Sequence, residues 1–535
     1  MAPIFVGSEN ENSRVRSDRL GFAASTSDPG TAAEGDGYYN SSDNQLKFYD
    51  GSAWSAIQGS GTVELVASGS ISNGQPVIIQ SNGTVAGVAS TSTGGFDAKK
   101  TFLSAQTDSS HLVYDSYNNR VVIFYADNGD SQKGYAIVAD IDENYNITLG
   151  TPVKWHDAGV PVLAAAFDSI SNKILIAFRD GGDGGAGKAI VGTVNPDDNS
   201  ISFGTLSEFE SGLTTYLSVA FDLNQNKFVI FYKDNNDSNK GKGRVAYISG
   251  TSISFGDLTI FNDADTSHIA ATFDSNSNKF VVAYRDGGDS NYGRACVGTV
   301  SGNSLSFGSD TRFESAVVSY NSIAFDSNSN KVVIAYRDGG NSNYGTAVVG
   351  TVSGTSISFG TPVVFNSGSL YESATSFDSN LNKVVIVYSD AGSSDIGEAV
   401  TGTVSGTSIT FGSEVTWNNA QTEKISSTFA SNINKVIIGY MDTPGDDDGN
   451  IIIYRDSNVG TNLKPQNFIG FSDAAYSDGD TANIQIISSV DDAQSGLTTG
   501  SLHYVQADGT LSTTAGNPSV EAGTALSDTK IRIKS

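Results

Sequence analysis

The sequence is poor in the residues that build covalent and metal-centred sites. It has one cysteine and four histidines in 535 residues. A single cysteine excludes an intrachain disulfide, and Cys296 is expected to be a small buried hydrophobic side chain. The reason is that Val348 stands at the same place in the following copy of an internal repeat. The histidines lack zinc-binding spacing, so no zinc site is predicted.

Positive charge is also scarce, with 31 Lys and Arg against 58 Asp and Glu and a net charge of −27. Nucleic acids and anionic membrane surfaces are bound through Lys and Arg, so neither is an expected partner. No stretch is long and apolar enough to insert into a membrane. The N-terminus lacks the apolar core of a secretory signal, and secretion by that route is not expected.

What the sequence does contain is a repeat. An aromatic residue, followed by Asp in six copies and by Ala in the seventh, recurs at steps of 52 to 54 residues. These aromatic residues are Tyr114, Phe167, Phe221, Phe273, Phe325, Phe377 and Phe429. Each copy contains four strand-like segments separated by turn-forming runs such as DSNSN, GGNSNYG and SGTS. Four strands per repeat are typical of a β-propeller blade, and propellers usually have about four to eight blades.

The last copy ends at its third strand, GNIIIYRD, with no fourth strand after it. Phe96 and Phe102 stand 18 and 12 residues before the first repeat aromatic. Phe359 and Phe365 keep the same spacing before theirs. We therefore predict that an N-terminal strand completes the last blade, which leaves the ring without an open sheet edge. The predicted fold class is all-β, a seven-bladed β-propeller of four-stranded blades at residues 94–456.

The two flanks of the propeller are too short to bury a core by themselves. We predict an attachment and oligomerisation segment at residues 1–61, in which QLKFYDGSAW indicates a small hairpin turning at Asp50-Gly51. Residues 62–93 and 457–535 are predicted to form the two halves of one small β-domain, into which the propeller is inserted. Because such segments can bury a core by self-association about an axis, we expect a homotrimer.

The flanks also carry a family resemblance. YYNSSDNQLKFYDGSAWSAI resembles a segment in the N-terminal parts of bacteriophage tail fibres and related virion proteins. VASGSISNGQPVIIQSNGTVAGVA and the C-terminal stretch from NFIGFSDAAYSDGD onward are similar to modules in structural proteins of tailed phages, notably marine ones. The resemblance covers roughly the first 90 and last 75 residues. It implies a virion protein that is assembled in the host cytoplasm beside other virion proteins, and it implies no particular chemistry.

One recurring pattern is interpreted as structural. The Asp that ends each second strand, such as Asp338, is followed seven residues later by Gly, here Gly345. Since a catalytic residue would be needed only once, we interpret the Asp as a turn acceptor and the Gly as a supplier of positive φ. Further acidic residues in these loops lack the spacing of a calcium-binding loop. No cofactor is therefore predicted, and a bound calcium ion is the less favoured alternative.

A position that varies between copies is the better candidate for binding. Five residues before each repeat aromatic stand Ser109, Val162, Tyr216, His268, Tyr320, Glu372 and Lys424. Aromatic faces with neighbouring hydrogen-bonding groups suit sugar or protein surfaces. With residues from the loops after the second strands, the predicted ligand-binding set is Tyr216, His268, Tyr320, Arg285, Tyr292, Arg337 and Tyr344. The alternative interpretation is that these are tolerant loop positions.

The favoured function is a tail fibre or receptor-binding spike that displays the propeller to a glycan or protein on the host cell surface. Strand direction places the predicted binding loops on the face opposite the chain's entry and exit. One alternative is a capsid decoration or head fibre protein. Another is a virion-associated polysaccharide-cleaving enzyme, for which the copy-specific acids Asp265, Glu314 and Glu372 would be candidates. Without a nucleophile motif we interpret them as solvated loop acids, and no catalytic residue is predicted.

Overall fold

The computed structural model describes residues 24–25, 30, 37–40, 45–49, 54–56, 61–80, 82–91, 95–96, 99–142, 145–443, 447–455, 460–516 and 518–534. Regular structure in this part is β-strand, apart from the short 3-10 turns Asn128–Asp130, Gly287–Asp289 and Ala391–Ser393. None of the described segments is an apolar helix of membrane-spanning length. The chain forms two compact units, one of Met1–Gly94 with Ser457–Ser535 and one of Gly95–Asp456.

The unit Gly95–Asp456 repeats one antiparallel sheet. First strands run over Thr107–Asp115, Leu163–Asp168, Ser207–Asp222, Thr266–Asp274, Thr311–Asp326, Val363–Asp378 and Val415–Ala430. Second strands are Arg120–Asp127, Lys173–Asp180, Lys227–Asp234, Lys279–Asp286, Lys331–Asp338, Lys383–Asp390 and Lys435–Thr443. Third strands are Lys133–Ile141, Ala186–Asn195, Lys240–Ser249, Tyr292–Ser301, Tyr344–Ser353, Ile396–Ser405 and Gly449–Arg455.

The outer edges of the sheets are formed by shorter strands. These are Gly95–Phe96, Lys100–Leu103, Ile147–Leu149, Val153–Gly159, Ser200–Phe203, Ser252–Asn262, Ser304–Phe307, Ser356–Phe359 and Ser408–Phe411. The first halves of the 16-residue first strands also pair with the preceding third strand, as Ala347 with Val363. At these four strands, one sheet therefore continues directly into the first strand of the next one.

The sheets pack face to face around a common centre. The second strands are the most buried, because both of their faces meet neighbouring sheets: Ala283 and Val281 of one sheet pack with Ile334 of the next. First strands bond to one another side by side, for example Asn321 Nδ2 to His268 O at 2.9 Å. Sheets repeated in this way around a centre form a β-propeller, as the sequence predicts.

The turn role predicted for the recurring Asp is confirmed. Asp338 Oδ1 accepts a hydrogen bond from Gly340 N at 2.8 Å, and Asp127, Asp180, Asp286 and Asp390 accept the equivalent bond. This bond satisfies a backbone donor at the start of the turn.

The role predicted for the recurring Gly is wrong. Positive φ occurs at Ser342 and Asn343 instead, while Gly345 is not in the left-handed region. A Cβ atom on Gly345 would lie 2.6 Å from Cε2 of Phe365, a ring on the neighbouring strand. The same close approach joins Gly134, Gly187, Gly241, Gly293, Gly397 and Gly449 to Trp155, Phe209, Phe261, Phe313, Trp417 and Phe102. These glycines make room for an aromatic ring.

Among its described residues, the other unit contains three sheets and one further pair of short strands. One sheet has the order Ala24–Ser25, Gly37–Asn40, Gln45–Tyr49 and Trp54–Ala56. Tyr49 pairs with Trp54 as the predicted hairpin requires, while its turn Asp50-Gly51 and the rest of residues 1–60 lie outside the described residues.

The remaining sheets of this unit use both ends of the chain. Thr62–Val66, Pro76–Ile79, Val85–Gly87, Phe468–Ser472 and Thr481–Gln485 form one sheet. Val490–Asp491, Leu502–Val505, Leu511–Ser512, Val520–Ala525 and Ile531–Ile533 form another, and Ser90–Thr91 pairs with Gly460–Thr461. The buried side chains of Ile78, Phe471, Val505 and Ile531 belong to one core. Strands from both flanks thus share a sheet and a core.

Candidate functional site

The first strands are bulged at the position that varies in sequence. Pairing with the second strand shifts between Thr215 and Ser218, and equivalent shifts occur in the four copies that follow. The bulge residues Tyr216, His268, Tyr320 and Lys424 have φ of 51°, 50°, 54° and 55°. Positive φ is uncommon for residues other than Gly, and a bulge re-aims the side chain that it carries. The bulges therefore turn these side chains out of the regular strand pattern.

The bulges bring four rings into one row, which we call the ring row: Tyr216, His268, Tyr320 and Tyr371. Ring centroids lie 5.2 Å apart between Tyr216 and His268. The next two steps, to Tyr320 and to Tyr371, are each 5.3 Å. Tyr216 is 39% exposed, and the other three rings are partly buried. The row is a continuous aromatic surface built from four neighbouring copies.

Hydrogen bonds fix the imidazole in the middle of the row. His268 Nδ1 accepts from Tyr320 N at 3.0 Å, so the proton of the neutral ring is on Nε2. Burial, with Arg285, Arg337 and Lys233 nearby, lowers the pKa of His268 to about 4. The ring is therefore neutral near pH 7 and presents an N–H donor.

Three cations stand beside the row. Lys233, Arg285 and Arg337 pair across the sheet with Thr215, Ser267 and Ser319, the residues immediately before the bulge residues of the row. The structure thus brings together Tyr216, His268, Tyr320, Arg285 and Arg337 from the predicted set.

Two members of the predicted set lie apart from the row. Tyr292 and Tyr344 open third strands, and neither has a ring contact with the row in the described part of the chain. Tyr292 lies instead under the guanidinium of Arg312, 4.7 Å from its ring centroid.

Tyr371 of the row and Lys233 beside it are not in the predicted set. Tyr371 stands one residue before the varied position, which Glu372 occupies in its copy. Lys233 occupies the same place in its copy as Arg285, and that shared position was the signal that could have found it.

The interpretation as solvated loop acids is wrong for Glu314 and Glu372, which are partly buried on first strands, whereas Asp265 is an exposed loop acid. Glu314 accepts from the Tyr336 hydroxyl at 2.9 Å, and Asp265 from Lys233 Nζ at 2.6 Å. Glu372 accepts from Ile425 N at 3.3 Å, and burial raises its pKa while Lys424 opposes the rise. Among the described residues, no group of three or more His, Cys, Asp or Glu side chains could hold a metal ion.

The first strands that carry the row also line a cavity of about 300 Å³. Its wall is polar, with Ser218, Asn321, Ser322 and Ser373 among the lining residues. His111 also lines the cavity. Burial lowers the pKa of its imidazole to about 4, although the hydrogen bond between Nε2 and Ala165 O, at 3.1 Å, acts in the opposite direction. These side chains offer hydrogen bonds but no nucleophile with an adjacent base.

No protein-family model and no curated protein matches the chain. Among solved structures it is similar to the BP39L lectin of Burkholderia pseudomallei, with 14% identity, a TM-score of 0.48 and coverage of 68% of this chain and 99% of the lectin. It is also similar to a periplasmic gluconolactonase of Pseudomonas aeruginosa, with 13% identity, a TM-score of 0.43 and coverage of 67% of this chain and 97% of the gluconolactonase. For AofleA of Arthrobotrys oligospora the identity is 11%, the TM-score is 0.37, and the coverage is 60% of this chain and 88% of AofleA. These values are too low to carry a function over to this chain.

Proposed function

We propose that the chain is a tailed-phage virion protein, a tail fibre or receptor-binding spike, whose propeller binds a glycan or protein on the host surface. The observation that carries the recognition role is the ring row, since partly exposed rings with a fixed N–H donor suit such a ligand. Binding residues concentrate on irregular segments held by a rigid scaffold, as the bulges are. The virion context rests on the phage-like modules of the flanks.

We further propose that the propeller has seven blades and is closed by the N-terminal strand. In support, Lys100 pairs with Ile451 and Phe96 pairs with Tyr454, both antiparallel. Leu112 N also donates to Ser426 Oγ at 2.9 Å, which joins the first strands of the first and last copies.

Within the propeller, the ring row and the chain's entry and exit lie at opposite ends of the sheets. The chain enters and leaves the propeller near Gly95 and Arg455, which pair with each other at the end of the sheet that carries the DSNSN turns. The ring row lies at the other end of the first strands.

Removing two rings of the row is expected to abolish adsorption to host cells. The variant is Tyr216→Ala with Tyr320→Ala, and His268 is retained because its Nδ1 accepts from the backbone N–H of residue 320. The matched control is Tyr117→Ala, since Tyr117 is 69% exposed and lies in the turn after the first strand, at the other end of the propeller. The measurement is the fraction of labelled protein bound to host cells, together with the melting temperature.

Full adsorption by the double variant, with loss in the Tyr117 variant, would place recognition on the opposite face. New reducing ends released from host polysaccharide by the unmodified protein would instead favour the cleaving enzyme. The buried carboxyl of Glu372, whose pKa is raised by burial, would then be the first candidate for a general acid.

The flanks are proposed to form a homotrimer and to contact other virion proteins. Their sheets are small, and self-association about an axis would add buried area. Light scattering is expected to give three times the chain mass for the full-length protein and the mass of one chain for residues 94–456 alone. A monomeric full-length protein would contradict this assignment.

A further inference from the structure

Four consecutive copies of the repeat place a cation at one position, in a protein whose net charge is −27. The residue before the Asp that ends the second strand is Arg179, Lys233, Arg285 or Arg337 in these copies. The remaining copies have Ala126, Ser389 and Met441 there. The position is therefore not fixed by the fold, and three of its four cations belong to copies that contribute a ring to the ring row.

Several partly buried cations of the propeller lie against carboxylates. Lys242 Nζ is 2.6 Å from Asp234 Oδ2, and Lys188 Nζ is 2.8 Å from Asp180 Oδ2. Arg294 NH2 is 2.7 Å from Asp289 Oδ2. Local Asp residues thus neutralise the positive charge at these positions.

The three arginines at this position differ. Within the described residues, Arg179, Arg285 and Arg337 form no ion pair, whereas Lys233 at the same position in its copy pairs with Asp265. The Nε atoms of Arg179 and Arg285 are buried and have no hydrogen-bond partner. Arg244, on a third strand, also forms no ion pair there, but it donates to Phe209 O and lies over the ring of Phe255. A partly buried cation without a counter-charge is costly, and a bound anion would remove part of that cost.

We propose that the ligand of the ring row is an acidic saccharide, with its carboxylate or sulfate group between Arg285 and Arg337 and its sugar rings against Tyr216 and Tyr320. The inference rests on the proposed recognition function and names the class of its ligand. A guanidinium binds a carboxylate or sulfate through two parallel N–H donors, and aromatic faces accept the apolar faces of sugars. A chain of such negative charge would otherwise repel an acidic polymer, so the unpaired arginines are what permits binding.

The test uses the full-length protein and four probes in calorimetric titrations: oligogalacturonate, its methyl ester, dextran sulfate and neutral dextran. Binding is expected for the acidic probes only. A preference for oligogalacturonate over dextran sulfate would assign the group as a carboxylate, and the reverse preference as a sulfate. Arg285→Gln with Arg337→Gln is expected to weaken binding at least about tenfold. The corresponding double change to Lys should restore part of it, because Lys keeps the charge without the planar fork.

The matched control is Lys279→Gln with Lys331→Gln. These lysines begin the same two strands that end beside Arg285 and Arg337, so the change in net charge is equal and lies at the other end of the sheet. Unchanged binding in this control, with loss in the arginine variant, supports the site.

Equal binding of acidic and neutral probes, binding of none of them, or equal loss in both double variants would overturn the proposal. If host adsorption depends on Tyr216 and Tyr320 but the protein does not prefer acidic over neutral saccharides, the proposed ligand class is overturned and the proposed function still stands. Adsorption that is independent of these rings would overturn the function itself.

Discussion

Replacing Gly345 by alanine is expected to destabilise the propeller by about 1–3 kcal/mol, the usual range for overpacking a well-packed core, and nearer its upper end because two ring atoms are in the way. The added Cβ would lie 2.6 Å from Cε2 and 2.8 Å from Cζ of Phe365. Neither partner can move away easily, because Gly345 is held by pairing to Arg337 on one side and Asn366 on the other. The ring is confined too, being 6% exposed and packed against Tyr388 and Phe411.

The control is Gly412→Ala in the same unit. A Cβ there would have Thr401 Oγ1 at 3.4 Å as its nearest neighbour, an ordinary contact, and its φ is not positive. This variant is expected to change the free energy of unfolding by less than about 1 kcal/mol. Urea unfolding of both variants against the unmodified protein measures the difference, and equal stability of the two would refute a steric role for Gly345.

The error over this glycine shows where the sequence pattern is ambiguous. A Gly seven residues after a turn Asp could be needed because the backbone has a positive φ, or because a neighbouring side chain leaves no room for a Cβ atom. The periodicity of the sequence is the same in both cases. The structure separates them, because positive φ falls on Ser342 and Asn343 while the ring of Phe365 lies over Gly345. The approach of that ring depends on sheet pairing, which the spacing of single residues does not contain.

The repeat itself was predictable, because each strand and turn is repeated with its own polar and apolar signature. The candidate binding position could be found because it breaks that repetition: Tyr216, His268 and Tyr320 stand where a purely structural residue would recur. Tyr371 was missed because it stands one residue before that position, where sequence alignment of the copies selects Glu372. The unpaired state of Arg285 depends on carboxylates of other strands, and residue spacing alone could not indicate it.

Replacing Phe102 by alanine is expected to destabilise the propeller by about 3–5 kcal/mol, the range for removing a buried Phe side chain. Phe102 is 7% exposed, its ring centroid lies 5.2 Å from that of Tyr125, and a Cβ on Gly449 would lie 2.6 Å from its Cε2. These contacts join Lys100–Leu103 to the last third strand, Gly449–Arg455, and to the second strand of the first copy, Arg120–Asp127.

Phe365→Ala is the matched comparison, because Phe365 makes the equivalent contacts to Tyr388 and Gly345 in the middle of the propeller. If the N-terminal strand completes the last blade, both variants should lose the same free energy of unfolding, measured by urea denaturation at one pH. The Phe102 variant should in addition aggregate at lower denaturant concentration, since loosening the closing strand exposes the edge of Gly449–Arg455. A Phe102 variant as stable as the unmodified protein, beside a destabilised Phe365 variant, would mean that the ring is stable without its closing strand.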